Sequence, residues 1–123
     1  MTENTSLNQL PLKDLHARAG AKFAPFAGWD MPVSYPPGVL KEHLHCRAHA
    51  GLFDISHMRL FEVSGADAAK LIATLCPLEA AEQALGASKY TFLLNEQAGV
   101  IDDLIVTRLA ADRFVIVANA ARA

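Results

Sequence analysis

The sequence predicts an α+β fold in which helices accompany an antiparallel sheet. The first observation is a series of three β-branched, apolar segments at 89–94, 99–109 and 113–118, separated by connections of hairpin length. The second is a set of helical patterns earlier in the chain that are bounded by proline or glycine. The 123 residues are 52% hydrophobic, which is enough apolar material for a core.

The N-terminal elements follow from their boundary residues. Residues 1–10 begin with polar side chains and are predicted to form a flexible lead-in to a folded region at 11–123. Pro11 suits the first turn of a helix, and Gly20 is predicted to end it. Extended chain turning at Gly28 is expected next.

The middle of the chain combines loop, helix and strand signals. Four proline and glycine residues between 32 and 38 predict a loop. The stretch 39–50 is predicted to be an amphipathic helix with Leu40 and Leu44 turned inward, and 53–64 a strand interrupted near His57. A second strong helix is expected at 66–75.

Two adjacent carboxylates interrupt the apolar run of the longest predicted strand. Asp102 and Asp103 lie between Ile101 and Leu104. Neighbouring side chains on a strand point to opposite faces, so both can reach water only at an edge or a bulge. An inward carboxylate is costly unless it is hydrogen-bonded, paired or used in chemistry. This pair therefore indicates a functional or strained position.

Composition narrows the class of protein and its surroundings. The formal net charge is −2 with 20% charged residues, so no basic stripe suggests nucleic acid, and no apolar run is long enough to span a membrane. Cys46 and Cys76 stand far apart without a CxxC motif, which predicts a reduced, cytoplasmic protein. No metal site is predicted, because His43, Cys46 and His49 follow no recognised zinc spacing.

Three strings in order, PFAGWDMP at 25–32, GLFDISHM at 51–58 and GVIDDLIV at 99–106, carry a family resemblance. They resemble the folate-dependent aminomethyltransferase of the glycine cleavage system, the T-protein family, over about 11–121. The resemblance implies one-carbon metabolism and glycine catabolism: a methylene group passes from the aminomethylated lipoyl arm of H-protein to tetrahydrofolate, and ammonia is released. Family members are much longer and form a three-domain cloverleaf, so this chain is expected to be an N-terminal fragment of doubtful activity by itself.

The same resemblance implies a set of site residues. Asp103 matches the catalytic carboxylate, which would hydrogen-bond a folate N–H, raise the nucleophilicity of that nitrogen and stabilise the positive charge that develops as ammonia leaves. Asp102 is expected to be structural. The folate-binding residues implied by matching motif are Met58, Tyr90, Asp103, Val117 and Asn119.

Alternatives from other classes remain open at this point. One is a non-catalytic relative that keeps the folate scaffold for binding, and another is a folate-dependent demethylase or the folate domain of a sarcosine-oxidase type of enzyme. Plain core packing is the alternative for Met58, Tyr90 and Val117. Exposed apolar faces and strand edges also predict that the chain self-associates and binds folate weakly or not at all.

Overall fold

The computed structural model describes residues 6–122 and divides the chain into two compact units. The first unit ends at His57 and the second begins at Met58. Each unit contains its own sheet. The predicted α+β class with antiparallel sheets is confirmed. None of the helices within 6–122 is both long and apolar enough to cross a membrane.

The first unit is built on a small three-stranded sheet. The elements of this unit are β1 (Asn8–Gln9), α1 (Lys13–Arg18), β2 (Lys22–Phe26), β3 (Trp29–Ser34) and α2 (Val39–Ala48). The strands lie in the order β1-β3-β2, with β1 parallel and β2 antiparallel to β3. A tight turn joins β2 to β3, and Ala27 and Gly28 both have positive φ there, 48° and 79°.

The predicted lead-in over 1–10 overlaps the first unit at its last residues. Asn8 and Gln9 pair with Trp29 and Asp30, and the side chain of Leu10 is only 3% exposed. One buried leucine is enough to anchor a two-residue strand that has its own backbone partners. Residues 1–5 of that lead-in lie outside the described residues.

The predicted loop between 32 and 38 begins later than expected. Residues through Ser34 belong to β3, and Pro32 pairs with Phe23 of β2. Pro32 lies beyond the two residues of β3 that pair with β1, so β2 is its one neighbouring strand among the described residues, as is usual for a proline at a sheet edge.

Helix α2 forms where expected, but its predicted apolar face is not covered. Leu40 and Leu44 are 70% and 55% exposed, so the prediction that they point inward is wrong. The i, i+4 spacing of the two leucines is typical of a helix, but burial also requires a neighbouring element that covers them. No residue of α2 is buried. The predicted strand at 53–64 is regular only from Arg59 onward.

The second unit is a four-stranded antiparallel sheet. The elements of this unit are β4 (Arg59–Ser64), α3 (Ala68–Leu75), β5 (Ser88–Leu94), β6 (Val100–Ala110) and β7 (Arg113–Ala118). The strand order is β4-β7-β6-β5, so the predicted antiparallel pairing of the last three strands is confirmed, and β4 joins the sheet beside β7. A short 3₁₀ turn at Ala80–Glu82 was not predicted.

The core of the second unit lies on one face of this sheet. The side chains of Val106 and Phe114 are completely buried, and Ile72 of α3 is buried with them. On β6 the even-numbered residues from 102 to 106 are buried, while their odd-numbered neighbours are exposed. This alternation gives the sheet one packed face and one open face.

Candidate functional site

The open face of the second unit collects the residues that the sequence singled out. Ile105 pairs with Tyr90 on one side and with Val117 on the other, and Val117 pairs with Leu60. Because directly paired residues lie on the same face of a sheet, these four side chains form one row across all four strands. The row is apolar apart from the tyrosine hydroxyl.

Asp103 lies two residues before Ile105 on the same face. It is exposed and pairs with Phe92, whose ring is 5.3 Å from that of Tyr90 in an edge-on arrangement. Phe92 was not among the predicted site residues. The alternation of Tyr90 and Phe92 along one strand is the signal that would have placed both on the face of the site.

Asn119 directly follows β7 and bonds to both carboxylates of β6. Its side-chain nitrogen Nδ2 donates to Asp103 Oδ1 at 2.8 Å, to the Asp103 carbonyl at 3.1 Å and to Asp102 Oδ1 at 2.9 Å. Its backbone N–H donates to Asp102 Oδ2 at 3.0 Å. The amide hydrogens of Asn119 are therefore engaged within the protein, which leaves its carbonyl Oδ1 as the group that could reach a ligand.

Met58 is placed by the register of β4. The next residue, Arg59, pairs with Ala118, so the register places Met58 at the same end of the sheet as Asn119. Met58, Val117 and Asn119 are half-buried, and Tyr90 is 62% exposed. Of the three residues for which plain core packing was the alternative, Tyr90 is largely exposed, and Met58 and Val117 are partly buried.

The pKa of Tyr90 reflects the electrostatics of this face. Desolvation, then a hydrogen bond to Asp103 and the charge of that carboxylate, raise the pKa of the Tyr90 phenol. An anionic neighbour opposes formation of a second anion, so Tyr90 stays protonated and Asp103 provides the negative charge. Apolar and aromatic surface beside one carboxylate suits a flat heteroaromatic ring that carries N–H donors.

A second polar cluster lies in the first unit and was not predicted. His16 of α1 contacts the Tyr35 hydroxyl through Nδ1 at 2.7 Å and Asp54 Oδ2 through Nε2 at 2.8 Å. Asp54 Oδ1 accepts from the backbone N–H and the hydroxyl of Ser56. Burial opposes ionisation of Asp54, but the hydrogen bonds from His16 and Ser56 prevail and lower its pKa to about 2. His16 and Asp54 lie 38 positions apart in the sequence, so no local pattern could predict their contact.

The cluster borders a cleft of the first unit that His57 also lines. The His57 ring packs edge-on against Phe26, and its Nδ1 is buried without a hydrogen-bond partner among the described residues. His57 lies next to the start of regular β4 at Arg59, close to where the sequence predicted an interruption of the strand. Within 6–122, no group of three His, Cys, Asp or Glu side chains is arranged to hold a metal ion.

Fold and sequence together define the class of this chain. It belongs to the GCVT N-terminal domain family, whose model matches residues 12–123. It is 60% identical to the glycine cleavage system aminomethyltransferase T of Bartonella henselae, with a TM-score of 0.93 to that crystal structure over 96% of this chain.

Curated relatives agree with that structure. The chain is 44% identical over 121 residues to the aminomethyltransferase of Bordetella petrii, and 44% identical over 114 residues to the mitochondrial aminomethyltransferase of Gallus gallus. These two matches cover 98% and 93% of this chain, respectively, but only 33% and 29% of the relatives' own lengths. The chain thus spans about a third of the length of the relatives it matches and corresponds to their N-terminal portion.

Proposed function

We propose that these residues form the N-terminal part of a tetrahydrofolate-dependent aminomethyltransferase of the glycine cleavage system. The single observation that carries this proposal is the exposed Asp103 carboxylate beside the rings of Tyr90 and Phe92 on the open face of the sheet. The names of the relatives support the reaction class. The partner would be the aminomethylated lipoyl arm of H-protein, and the acceptor would be tetrahydrofolate.

The residues present fit the pterin part of folate. Tyr90, Phe92 and Val117 offer apolar contact, and Asp103 offers an acceptor for a ring N–H. Met58 would pack at the end of the sheet, and Asn119 would offer its carbonyl oxygen. In this proposal, tetrahydrofolate supplies the nitrogen that accepts the one-carbon unit.

Asp103 would act as the catalytic residue through its charge. A carboxylate that accepts a hydrogen bond from N–H increases the electron density of that nitrogen, and it also stabilises positive charge that develops nearby as ammonia leaves. Tyr90, whose pKa is far above neutral and is raised further, is a neutral phenol beside this carboxylate. Because the Tyr90 phenol is neutral, it can donate a hydrogen bond, and it does not compete with Asp103 for the positive charge that develops as ammonia leaves.

The surroundings of the whole protein are part of the proposal. Both cysteines are free, Cys46 exposed and Cys76 buried, as suits a reducing compartment such as the cytoplasm. Neither nucleic acid nor membrane is proposed as a partner. The relatives include a mitochondrial and a bacterial aminomethyltransferase.

The test uses a full-length protein that carries these residues and compares one-carbon donors. Aminomethylated H-protein with tetrahydrofolate should give methylenetetrahydrofolate and ammonia in equal amounts, whereas an N-methylated glycine should give neither. Transfer from the N-methylated glycine instead would favour the demethylase or oxidase alternative. Folate binding without transfer from any donor would favour the non-catalytic relative.

A further inference from the structure

Asp102 is a buried carboxylate whose two oxygens are both occupied by Asn119. It is 8% exposed, Oδ2 accepts the backbone N–H of Asn119, and Oδ1 accepts a side-chain hydrogen of the same residue. Neither ion pair found within 6–122 includes it. Two donors from one residue thus satisfy a buried charge and at the same time fix the position of that residue.

The orientation of the Asn119 amide follows from the chemistry of its neighbours. Carboxylate and carbonyl oxygens only accept hydrogen bonds, so the NH₂ group and not Oδ1 must face them. One amide hydrogen reaches Asp102 Oδ1, and the other is shared by the carbonyl and the Oδ1 of Asp103. A single neutral amide at the end of β7 therefore bridges two carboxylates that belong to opposite faces of β6.

We propose that Asp102 is a positioning residue for Asp103 and that the Asn119 side-chain amide is the link between them. Asp102 anchors Asn119 from the packed face, and Asn119 holds the Asp103 carboxylate on the open face. The catalytic consequence of this link rests on the proposed function, whereas the link itself is a property of this chain without folate. The proposal gives Asp102 more than the purely structural role that the sequence suggested.

There is a chemical reason why a neutral amide, and not a cationic side chain, suits this link. A lysine or arginine in place of Asn119 would hold Asp103 more strongly but would also neutralise the charge that the reaction uses. A neutral amide orients the carboxylate and leaves it an anion. The backbone N–H of Asn119 adds a second contact to Asp102, and the side-chain amide cannot turn away without breaking its three hydrogen bonds to Asp102 and Asp103.

The first test uses the 123-residue chain without any ligand. The two side-chain amide protons of Asn119 are followed by ¹H–¹⁵N NMR and assigned by their loss in Asn119→Ser. Asp102→Asn and Asp103→Asn should each shift these signals, because each replaces an accepting carboxylate with a group that also donates. Asp112→Asn, in the exposed turn between β6 and β7, is the matched control and should leave them in place. Unshifted Asn119 signals in Asp102→Asn would overturn the link.

The second test measures methylene transfer in the full-length protein. Misplacement of a catalytic group by about 1 Å can cost up to about 100-fold, so Asp102→Asn should lower kcat roughly 10- to 100-fold. The KM for tetrahydrofolate should change by less than about threefold, because the apolar contacts remain. Asn119→Ser serves as a second variant for kcat if Asp102→Asn folds poorly, and its KM for tetrahydrofolate should also rise, because Asn119 is itself a proposed folate contact.

The outcomes separate this inference from the proposed function. Unchanged kcat in Asp102→Asn together with lost transfer in Asp103→Asn would overturn the positioning role and keep the enzyme. Unchanged kcat in both variants would overturn the proposed role of Asp103. A loss of folded protein with normal kcat per folded molecule would show that Asp102 is structural only, and would also overturn the inference.

Discussion

At the scale of single residues, the environment separates two identical side chains. Asp102 is buried and fully hydrogen-bonded, while Asp103, one position later, is exposed beside two aromatic rings. The alternation of a strand produces this division without any special loop. The sequence predicted that the two carboxylates would face opposite sides of a strand, and the described structure bears this out. The sequence contained no sign that Asn119 would form hydrogen bonds with both carboxylates.

A titration of Tyr90 tests the contact with Asp103. In a Tyr35→Phe background, Tyr90 is the remaining tyrosine, so ultraviolet absorbance follows its phenol alone. Asp103→Asn should lower the pKa of Tyr90 toward its ordinary value, because the carboxylate that disfavours the phenolate is gone. Local desolvation persists, so part of the elevation should remain. Asp112→Asn should leave the titration as it was, and an unchanged Tyr90 in Asp103→Asn would argue against the contact.

A second residue-scale prediction concerns Asp54 in the first unit. Its folded pKa of about 2 lies below the value of about 3.9 in an unfolded chain. A depressed carboxylate pKa contributes stability above pH ~4, and that contribution is lost as the pH falls through about 2. Asp54→Asn should therefore lower the free energy of unfolding by about 2 kcal/mol at neutral pH, with no such loss below pH ~2.

Trp29 makes this prediction measurable. It is the single tryptophan and lies in the first unit, so its fluorescence during denaturation reports that unit. Asp14→Asn, on the exposed side of α1, is the control and should change stability by less than about 1 kcal/mol. Equal effects of both substitutions at neutral pH would show that the His16 contact contributes nothing.

At the scale of elements, local patterns predicted the second unit better than the first. Alternation and hairpin-length connections suffice for β5, β6 and β7, because these strands pair with neighbours in sequence. The pairing of β4 with β7 joins residues far apart and has no local signature. In the first unit, prolines masked β3, and periodicity in α2 could not show that its leucines stay exposed.

The candidate site was predicted through its motifs and not through its geometry. The family resemblance named Met58, Asp103 and Asn119, and only the register of the sheet places them at one end of one face. Phe92 was missed because the resemblance did not name it. The His16 and Asp54 contact was missed because long-range side-chain pairs leave no trace in composition or spacing.

A substitution in the core of the sheet tests the packing of the second unit. Phe114 is completely buried, and the Arg108 guanidinium lies 5.9 Å from its ring centroid. Phe114→Ala should cost about 3–5 kcal/mol, measured by hydrogen exchange of the β6 amides. Phe92→Ala on the open face should cost about 1 kcal/mol or less because Phe92 is 37% exposed. Similar costs would contradict the division into a packed and an open face.

At the scale of the whole molecule, exposed apolar surface predicts association. Leu60, Phe53 and Leu40 are each 70% exposed, and β4 and β5 form the two edges of their sheet within the described residues. Exposed apolar side chains and unpaired strand edges favour contacts between copies. We expect the 123-residue chain to self-associate in analytical ultracentrifugation and to bind tetrahydrofolate weakly or not at all by calorimetry. A clean monomer that binds folate at micromolar strength would contradict both expectations.

The central claim is that the N-terminal portion carries the charge on which one-carbon transfer depends. It is tested by the rate of methylene transfer from aminomethylated H-protein to tetrahydrofolate in the full-length protein with Asp103→Asn. The amide keeps the size of the side chain and removes its negative charge, so we predict a loss of at least about 100-fold in kcat. Asp112→Asn should retain the normal rate. A rate for Asp103→Asn within about twofold of the unmodified protein would contradict the assignment of the catalytic carboxylate.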